Sequence, residues 1–189
     1  MPPKTKLNKE EIAEKALAII RREGYGALNA RSLAAECGSS TMPLFHHYEN
    51  MEEIKSAAIS LGVYIYNRYI DEGMAEDIPF KGVGKAYIRF AREEKELFRT
   101  FFMMPSREVA GLSETDPNYD RVHGILSLSL NGNAEGAERM FREMWLYVHG
   151  IATLAVTGKT EFSDEEISKM TSRVFLSLKN QLLAEEKYE

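Results

Sequence analysis

Residues 28–54 place two very short helical segments on either side of a glycine turn, and this layout constrains the fold more than any other feature. Asn29 can cap the first helix by accepting hydrogen bonds from free backbone N–H groups, and Leu33 and Cys37 then share its apolar face. Gly38 tolerates the left-handed backbone that ends this helix and turns the chain. The pattern predicts a helix-turn-helix.

The second short helix is predicted from about residue 41 to 47, with Ser39 or Ser40 as its cap and Pro43 in its first turn. A helix this short is not stable alone, so its order must come from packing of Leu44 on the helices before and after it. Its other side chains face outward: Thr41, Met42, Phe45, His46 and His47. This presentation is typical of a segment that reads base edges in the major groove of DNA.

The spacing across residues 28–54 also resembles the DNA-binding region of TetR-family transcriptional repressors. The resemblance rests on an ordered, gap-free set: Leu28, Arg31, Leu33, Ala34, Gly38, Ser40, Leu44, Phe45, His47, Tyr48, Asn50, Glu52 and Ile54. It implies an all-α fold of about nine helices. A three-helix DNA-binding domain would occupy residues 1–50, and a helical effector-binding and dimerisation domain would occupy residues 51–189.

The resemblance further implies a set of residues that contact DNA: Lys4, Lys6, Ala30, Arg31, Ser40, Thr41, Met42, Phe45, His46 and His47. Two positions depart from the family. The family usually has Tyr where Phe45 stands and Lys where Met51 stands, and both usual residues contact phosphates. Arg31, Lys9, the N-terminal lysines and the helix N-termini can supply such contacts instead. The alternative is a small-molecule-binding helical dimer with weak or lost DNA binding.

The net charge of −5 is unexpected for a DNA-binding protein, because phosphate neutralisation gives such proteins a basic character. The acidic surplus lies outside the predicted DNA-binding domain. Residues 1–50 hold seven Lys or Arg against six Glu, whereas the rest of the chain carries a balance of −6. An acidic body leaves only the N-terminal domain to engage DNA, and the small local surplus predicts modest non-specific affinity.

Composition predicts a cytoplasmic globular protein without catalytic residues, cofactor or metal. The chain of 189 residues has 44% hydrophobic and 28% charged residues, no apolar run of membrane-spanning length and no signal-peptide pattern. Cys37, the single cysteine, has only Glu36 and turn residues beside it, so no nucleophile and base converge there. His123 has no Cys or carboxylate at metal-ligand spacing.

The rest of the chain reads as further helices. Residues 8–24 form the first, with Asn8 and Glu11 as a capping box. A connecting helix is predicted over residues 50–71, and later helices over 79–94, 96–104, 118–130 and 134–157, with a last one boxed by Ser163 and Glu166. Residues 106–117 carry Pro, Gly, Ser and Asp, which favours a mobile loop beside a ligand pocket.

The last two predicted helices carry apolar stripes that favour a four-helix dimer interface, although packing inside one subunit is the alternative. The first stripe is Phe141, Met144, Trp145, Val148, Ile151, Ala152 and Ala155, and the second is Ile167, Met170, Val174, Leu178 and Leu182. Trp145, His149 and Gly150 resemble the Trp-His-Gly (WHG) signature of one branch of the TetR family. A homodimer is also expected from the binding free energy. One DNA-binding domain offers three or four side chains to base edges, and each contact contributes about 1 to 3 kcal/mol, whereas operator affinities correspond to roughly 11 to 15 kcal/mol.

A small apolar or aromatic effector is the second expected partner, besides double-stranded operator DNA. The predicted effector pocket is lined by aromatic, Met and His side chains: Tyr64, Tyr87, Phe98, Phe102, Met103, Trp145 and His149. Such side chains at helical spacing also build ordinary cores. His149 can either bind the ligand or be satisfied by a neighbouring backbone carbonyl.

Overall fold

The computed structural model describes residues 7–113 and 116–185, and within these ranges it contains eight α-helices, three short 3₁₀ helices and no strand. The α-helices are α1 (Lys9–Glu23), α2 (Ala30–Glu36), α3 (Met51–Met74), α4 (Pro79–Glu93), α5 (Lys95–Phe102), α6 (Tyr119–Ser129), α7 (Ala134–Val156) and α8 (Asp164–Glu185). The 3₁₀ helices are Tyr25–Ala27, Leu44–His46 and Ser106–Glu108. The all-α prediction is confirmed. None of the described helices has both the length and the apolar content needed to cross a lipid bilayer.

Side-chain caps begin the helices where the sequence predicts them. Asn8 Oδ1 accepts from the Glu11 backbone N–H at 2.8 Å, and the Glu11 carboxylate accepts from the Asn8 N–H at 3.1 Å. Asn29 Oδ1 accepts from the N–H groups of Arg31 and Ser32 at 3.0 and 3.1 Å. These bonds satisfy backbone donors that have no partner inside the helix, which fixes where α1 and α2 start.

The described chain forms two compact units. Unit 1 comprises residues 7–65 and 94–113, and unit 2 comprises residues 66–93 and 116–185. The chain therefore passes between the units three times: inside α3, between α4 and α5, and before α6. The expected division at residues 50 and 51 differs from this grouping, because the first half of α3 and all of α5 pack in unit 1.

Unit 1 has a core formed by α1, α2, α5 and the first half of α3. Ile12, Leu33 and Ile54 are fully buried in it. α5 packs against α3, because a Cβ added to Gly62 would lie 2.9 Å from Cζ of Phe101. α5 thus belongs to the same core as the predicted helix-turn-helix.

Unit 2 is built from the end of α3 and from α4, α6, α7 and α8, with α4 in contact with α6, α7 and α8. The end of α3 and the start of α4 approach each other through glycine. A Cβ added to Gly82 would lie 2.0 Å from the Gly73 carbonyl oxygen, a distance no real Cβ adopts. This approach sets the position of α4.

The first eight residues of the segment predicted as a mobile loop, residues 106–113, make tertiary contacts within unit 1. The Ala110 N–H donates to the Tyr25 hydroxyl at 2.8 Å, and Val109 is buried. Gly111 has φ 78°, and a Cβ there would lie 2.3 Å from Oγ of Ser56. Residues 106–113 are therefore packed in unit 1. Residues 114 and 115 lie outside the described residues.

Candidate DNA-reading surface and effector cavity

The reading segment, residues 41–47, is a run of tight turns rather than the predicted α-helix. Backbone N–H groups of Leu44 and Phe45 donate three residues back, to Thr41 and Met42, at 3.2 Å each. The predicted serine cap does not form, because Ser39 Oγ donates to the Ser40 carbonyl oxygen at 2.9 Å. No described side chain caps the 3₁₀ turn Leu44–His46, and the backbone N–H groups of residues 44 to 47 each donate three residues back, which is the 3₁₀ pattern and not the α-helical one.

Two buried side chains hold the reading segment from below. Leu44 is fully buried, and Tyr48 is 3% exposed and donates its hydroxyl to the Lys9 carbonyl oxygen at 2.9 Å. Above them Met42 is 69% exposed and Phe45 is 42% exposed. The remaining reading side chains, Thr41, His46 and His47, are exposed as well. The segment therefore presents side chains outward from a fixed base, as base reading requires.

The other residues predicted to contact DNA fall into three groups. Arg31 and Ser40 are exposed, and Ala30 is half-buried at the start of α2. The Lys9 ammonium, proposed as a phosphate contact, lies 2.9 Å from the Glu53 carboxylate. Lys4 and Lys6 lie outside the described residues.

Most basic side chains of the helix-turn-helix that the structure describes are engaged within unit 1. Arg21 pairs with Glu94, Arg22 with Glu36 at 2.9 Å, and Lys15 donates to the Glu36 carbonyl oxygen at 3.3 Å. Arg31 forms no ion pair with any described residue.

Unit 2 contains an apolar cavity of about 180 Å³ lined by residues of α3, α4, α6, α7 and α8 and by the segment before α6. Its aromatic lining residues are Tyr66, Phe80, Tyr87, Tyr119, Phe141, Trp145 and Phe175. An engineered apolar cavity of about 150 Å³ accepts benzene, so this one has room for a small aromatic molecule.

Three of the predicted pocket residues cluster at this cavity. Tyr87 and Trp145 line it directly. His149 is not among the described lining residues; it stacks on Trp145 with ring centroids 5.0 Å apart, and its Nδ1 lies 2.9 Å from the Tyr87 hydroxyl. Burial lowers the pKa of His149, so the neutral ring is favoured. One partner of the His149 ring is thus the Tyr87 hydroxyl.

The other four predicted pocket residues belong to unit 1 and do not line the cavity among the described residues. Phe98 is fully buried in the unit 1 core and contacts Phe102, with ring centroids 5.2 Å apart. Tyr64 is 65% exposed and Met103 is 44% exposed. For Phe98 the difference has a simple cause: α5 packs with α1 and α3, so this side chain fills the core of unit 1.

The most informative lining residue was not predicted. Asp116 lies in the cavity wall, where its Oδ2 accepts from the Tyr66 hydroxyl and its Oδ1 from the Asn118 N–H, each at 2.7 Å. Burial raises the pKa of Asp116. Burial and the neighbouring Asp116 carboxylate together raise the pKa of Tyr66 far above its usual value. Burial also raises the pKa of Tyr87. No sequence signal marks Asp116, because it stands in an irregular segment between helices.

The predicted dimer stripes largely face inward. Met144, Val148, Ile151 and Ala152 of α7 are buried in unit 2, and Trp145 lines the cavity. A different α7 stripe is exposed: Leu146 at 60% and Leu154 at 39%, with Gly150 between them. A Cβ at Gly150 would meet no described atom within 4 Å. This stripe is a candidate interface.

Comparisons with known proteins find relatives of this chain by sequence. The model of the family described as tetracyclin repressor-like, C-terminal domain, matches residues 80–175, which include α4 to α7 and part of α8. An uncharacterised HTH-type transcriptional regulator of Mycobacterium tuberculosis is 28% identical over 173 residues, which cover 85% of this chain and 76% of that protein.

Solved structures share the fold at low sequence identity. A TetR family member from Streptomyces coelicolor aligns with a TM-score of 0.58 at 14% identity, over 92% of this chain and 98% of that one. A TetR variant from Acinetobacter baumannii in complex with minocycline aligns with a TM-score of 0.57 at 17% identity, over 95% and 98%. AibR in complex with isovaleryl coenzyme A and operator DNA aligns with a TM-score of 0.56 at 17% identity, over 88% and 97%.

Proposed function

Because the chain belongs to the tetracyclin repressor-like family, whose members are ligand-responsive DNA-binding transcriptional regulators, we propose that it is a repressor. It binds a palindromic operator as a homodimer, and a small apolar or aromatic effector releases it. As a DNA-bound regulator it acts in the cytoplasm and needs no catalytic residue.

The observation that carries this proposal is the course of α3. Its first half, with Ile54 and Ala58 fully buried, packs in the unit that presents the reading segment. Its second half contributes Tyr66 and Ile70 to the cavity wall of unit 2. One continuous helix therefore packs in the unit that presents the reading segment and also lines part of the cavity.

The hydrogen bond between Tyr66 and Asp116 supports a route for the response. Tyr66 is the first residue of unit 2 on α3, and Asp116 follows the third passage of the chain between the units. An effector that changes this contact acts on two of the three connections to unit 1. A change in the distance between the two DNA-binding domains of the dimer then lowers operator affinity. The coupling free energy between effector binding and DNA binding is about 1 to 3 kcal/mol.

The exposed α7 stripe supports dimerisation. Leu146, Gly150 and Leu154 recur every fourth residue, so they lie on one helix face, and the glycine allows a partner helix to approach closely. Leu176 of α8 is 55% exposed and adds apolar surface to unit 2. A two-fold dimer places its reading segments about 34 to 36 Å apart or somewhat more, to match half-sites of a palindrome.

Selection of bound sequences from a random double-stranded DNA library tests the proposal. We expect a palindromic motif to be enriched, and Thr41→Ala and His46→Ala each to weaken binding to that motif by about threefold to tenfold, since each removes a side chain that can bond a base edge. Sedimentation velocity should show that both variants remain dimers.

His123→Ala is the matched control, because His123 lies on α6 in unit 2 and its loss should leave DNA binding unchanged. Enrichment of no sequence would contradict the regulator and favour a ligand-binding dimer without DNA binding. Unchanged affinity in both reading-segment variants would remove these residues from the reading surface.

A further inference from the structure

The cavity of unit 2 offers a ligand few free polar groups. The hydroxyls of Tyr66, Tyr87 and Tyr119 are all engaged, with Asp116, His149 and Glu138 respectively. Asn118 is also engaged: its amide donates to Asn67 at 2.9 Å and its carbonyl oxygen accepts from Arg121 at 2.9 Å. The tyrosines therefore present rings, and the charged lining side chains that the structure describes are Asp116 and Lys81.

The Asp116 carboxylate has unused capacity. A carboxylate accepts about four hydrogen bonds, and the donors beside Asp116 are all neutral: the Tyr66 hydroxyl and the backbone and side chain of Asn118. No Lys, Arg or His nitrogen of the described chain lies within 4.0 Å of it. A negative charge in an apolar wall is costly unless a cation pairs with it.

The aromatic lining suits the same kind of partner. Tyr66 and Tyr87 meet edge to face with ring centroids 6.4 Å apart, and Tyr119 and Phe141 meet in the same way at 5.0 Å. Rings in several orientations offer faces from more than one side, and an aromatic face attracts cations through its quadrupole. A carboxylate among aromatic faces is the usual arrangement for binding an organic ammonium ion.

We propose that the effector is a compact organic cation, whose protonated nitrogen sits against Asp116 and whose apolar body lies among the rings beside Tyr87 and Trp145. This inference rests on the proposed function, because it takes the cavity to be the effector site. A cavity of about 180 Å³ limits the body to about one aromatic ring with a short chain. An organic anion paired with Lys81 is the rival ligand.

Trp145 provides a direct readout, because it is the single tryptophan of the chain and lines the cavity. Its fluorescence is titrated, without DNA, with three probes of one shape: 3-phenylpropylammonium, 3-phenylpropanol and 4-phenylbutanoate. We expect the ammonium to bind about tenfold or more tightly than either of the others.

Asp116→Asn should remove this preference, whereas Asp120→Asn should keep it, because Asp120 is exposed on α6 and does not line the cavity. Selectivity of the unmodified protein among the three probes is decisive even where a variant does not fold. Tighter binding of the carboxylate, lost in Lys81→Gln, would overturn the proposal in favour of an anion. Equal binding of all three probes, or binding of none, would overturn it as well.

The cation site and the regulatory proposal can fail separately. If the ammonium binds through Asp116 but leaves operator affinity unchanged, the cation site stands and the release mechanism is wrong. If operator binding is confirmed but the ammonium has no preference, the regulator stands and the ligand class is wrong.

Discussion

Asp116 shows how a single side chain can combine a stability cost with a binding role. Its carboxyl group is held by Tyr66 and by the Asn118 N–H, and burial raises its pKa. Burial therefore shifts the equilibrium of Asp116 toward the protonated acid. A bound cation opposes this shift by favouring the carboxylate, so binding of the proposed effector is coupled to deprotonation of Asp116.

The raised pKa of Asp116 predicts a pH-dependent difference in stability between the unmodified protein and Asp116→Asn. Because the folded-state pKa is raised, Asp116 contributes stability that is fully present below its unfolded pKa and is lost as the pH rises through the folded pKa. The unfolding free energy of the unmodified protein should thus fall relative to that of Asp116→Asn over this acidic window. Chemical denaturation of both proteins at a series of pH values measures the difference.

Other ionisable groups near Asp116 do not produce the same signal. Tyr66 and Tyr87 have raised pKa values and stay neutral throughout the window. His149, behind Tyr87, and Lys81, in the cavity wall, are present in both proteins, so their direct contributions cancel in the difference. A variant that loses stability relative to the parent as the pH rises would contradict the prediction, since it would mean that the folded protein stabilises the charged form.

At the scale of elements, the sequence predicts where helices begin better than it predicts which helices pack together. The starts of α1, α2 and α8 follow from caps that bond only two or three residues away, such as Asn29 with Ser32 and Ser163 with Glu166. The unit to which α5 belongs depends on contacts with α1 and α3, which no local pattern encodes. For the same reason Phe98 was expected in the pocket but fills the core of unit 1.

The cavity illustrates the same limit. Trp145 and Val148 were recognised as an apolar stripe, but a stripe does not reveal whether it faces a partner subunit, a core or a ligand. Tyr87, which was also predicted for the pocket, lines this cavity. Asp116 could not be found, because nothing in an irregular segment indicates that a carboxylate lines a cavity.

The contact between α3 and α4 predicts unequal effects of two glycine substitutions. Gly82→Ala places a methyl group against the Gly73 backbone, so the helices must separate, and we expect a loss of about 1 to 3 kcal/mol in the free energy of unfolding. Gly124→Ala on α6 is the control, since its Cβ would meet no described atom within 4 Å. Alanine there should add about 0.5 to 1 kcal/mol.

Urea unfolding of the three proteins measures both effects. Equal stability of Gly82→Ala and the parent would mean that the two helices do not approach as closely as the backbone geometry requires. Loss of stability in Gly124→Ala would mean that the exposed face of α6 is covered in the assembled protein.

At the scale of the whole molecule, the acidic charge and the ion pairs of unit 1 together limit how strongly the protein holds DNA. The chain carries −5 overall, and Lys9, Arg21 and Arg22 pair with glutamates of unit 1. Arg31 is therefore the exposed arginine of the helix-turn-helix that is available for phosphate among the residues described. Affinity should depend on base reading and on a small number of phosphate contacts.

The dependence of operator affinity on salt tests this view of the interface. Each neutralised phosphate contributes a slope of about −0.9 to the logarithm of the binding constant against the logarithm of salt concentration. Arg31→Ala removes one contact from each head of a dimer, so the slope should become less steep by about 2. Fluorescence anisotropy of the selected operator over a range of KCl concentrations measures it.

Arg68→Ala provides the comparison for this series, because Arg68 is an exposed arginine of α3 that belongs to unit 2. Its removal changes the net charge by the same amount as Arg31→Ala, so a shared effect on the slope would identify long-range charge rather than phosphate contact as the cause. A slope near zero in the parent protein would mean that the reading segment makes no use of phosphates. Unit 1 would then be a helix-turn-helix that no longer binds DNA, and the remaining function would be ligand binding in the cavity of unit 2.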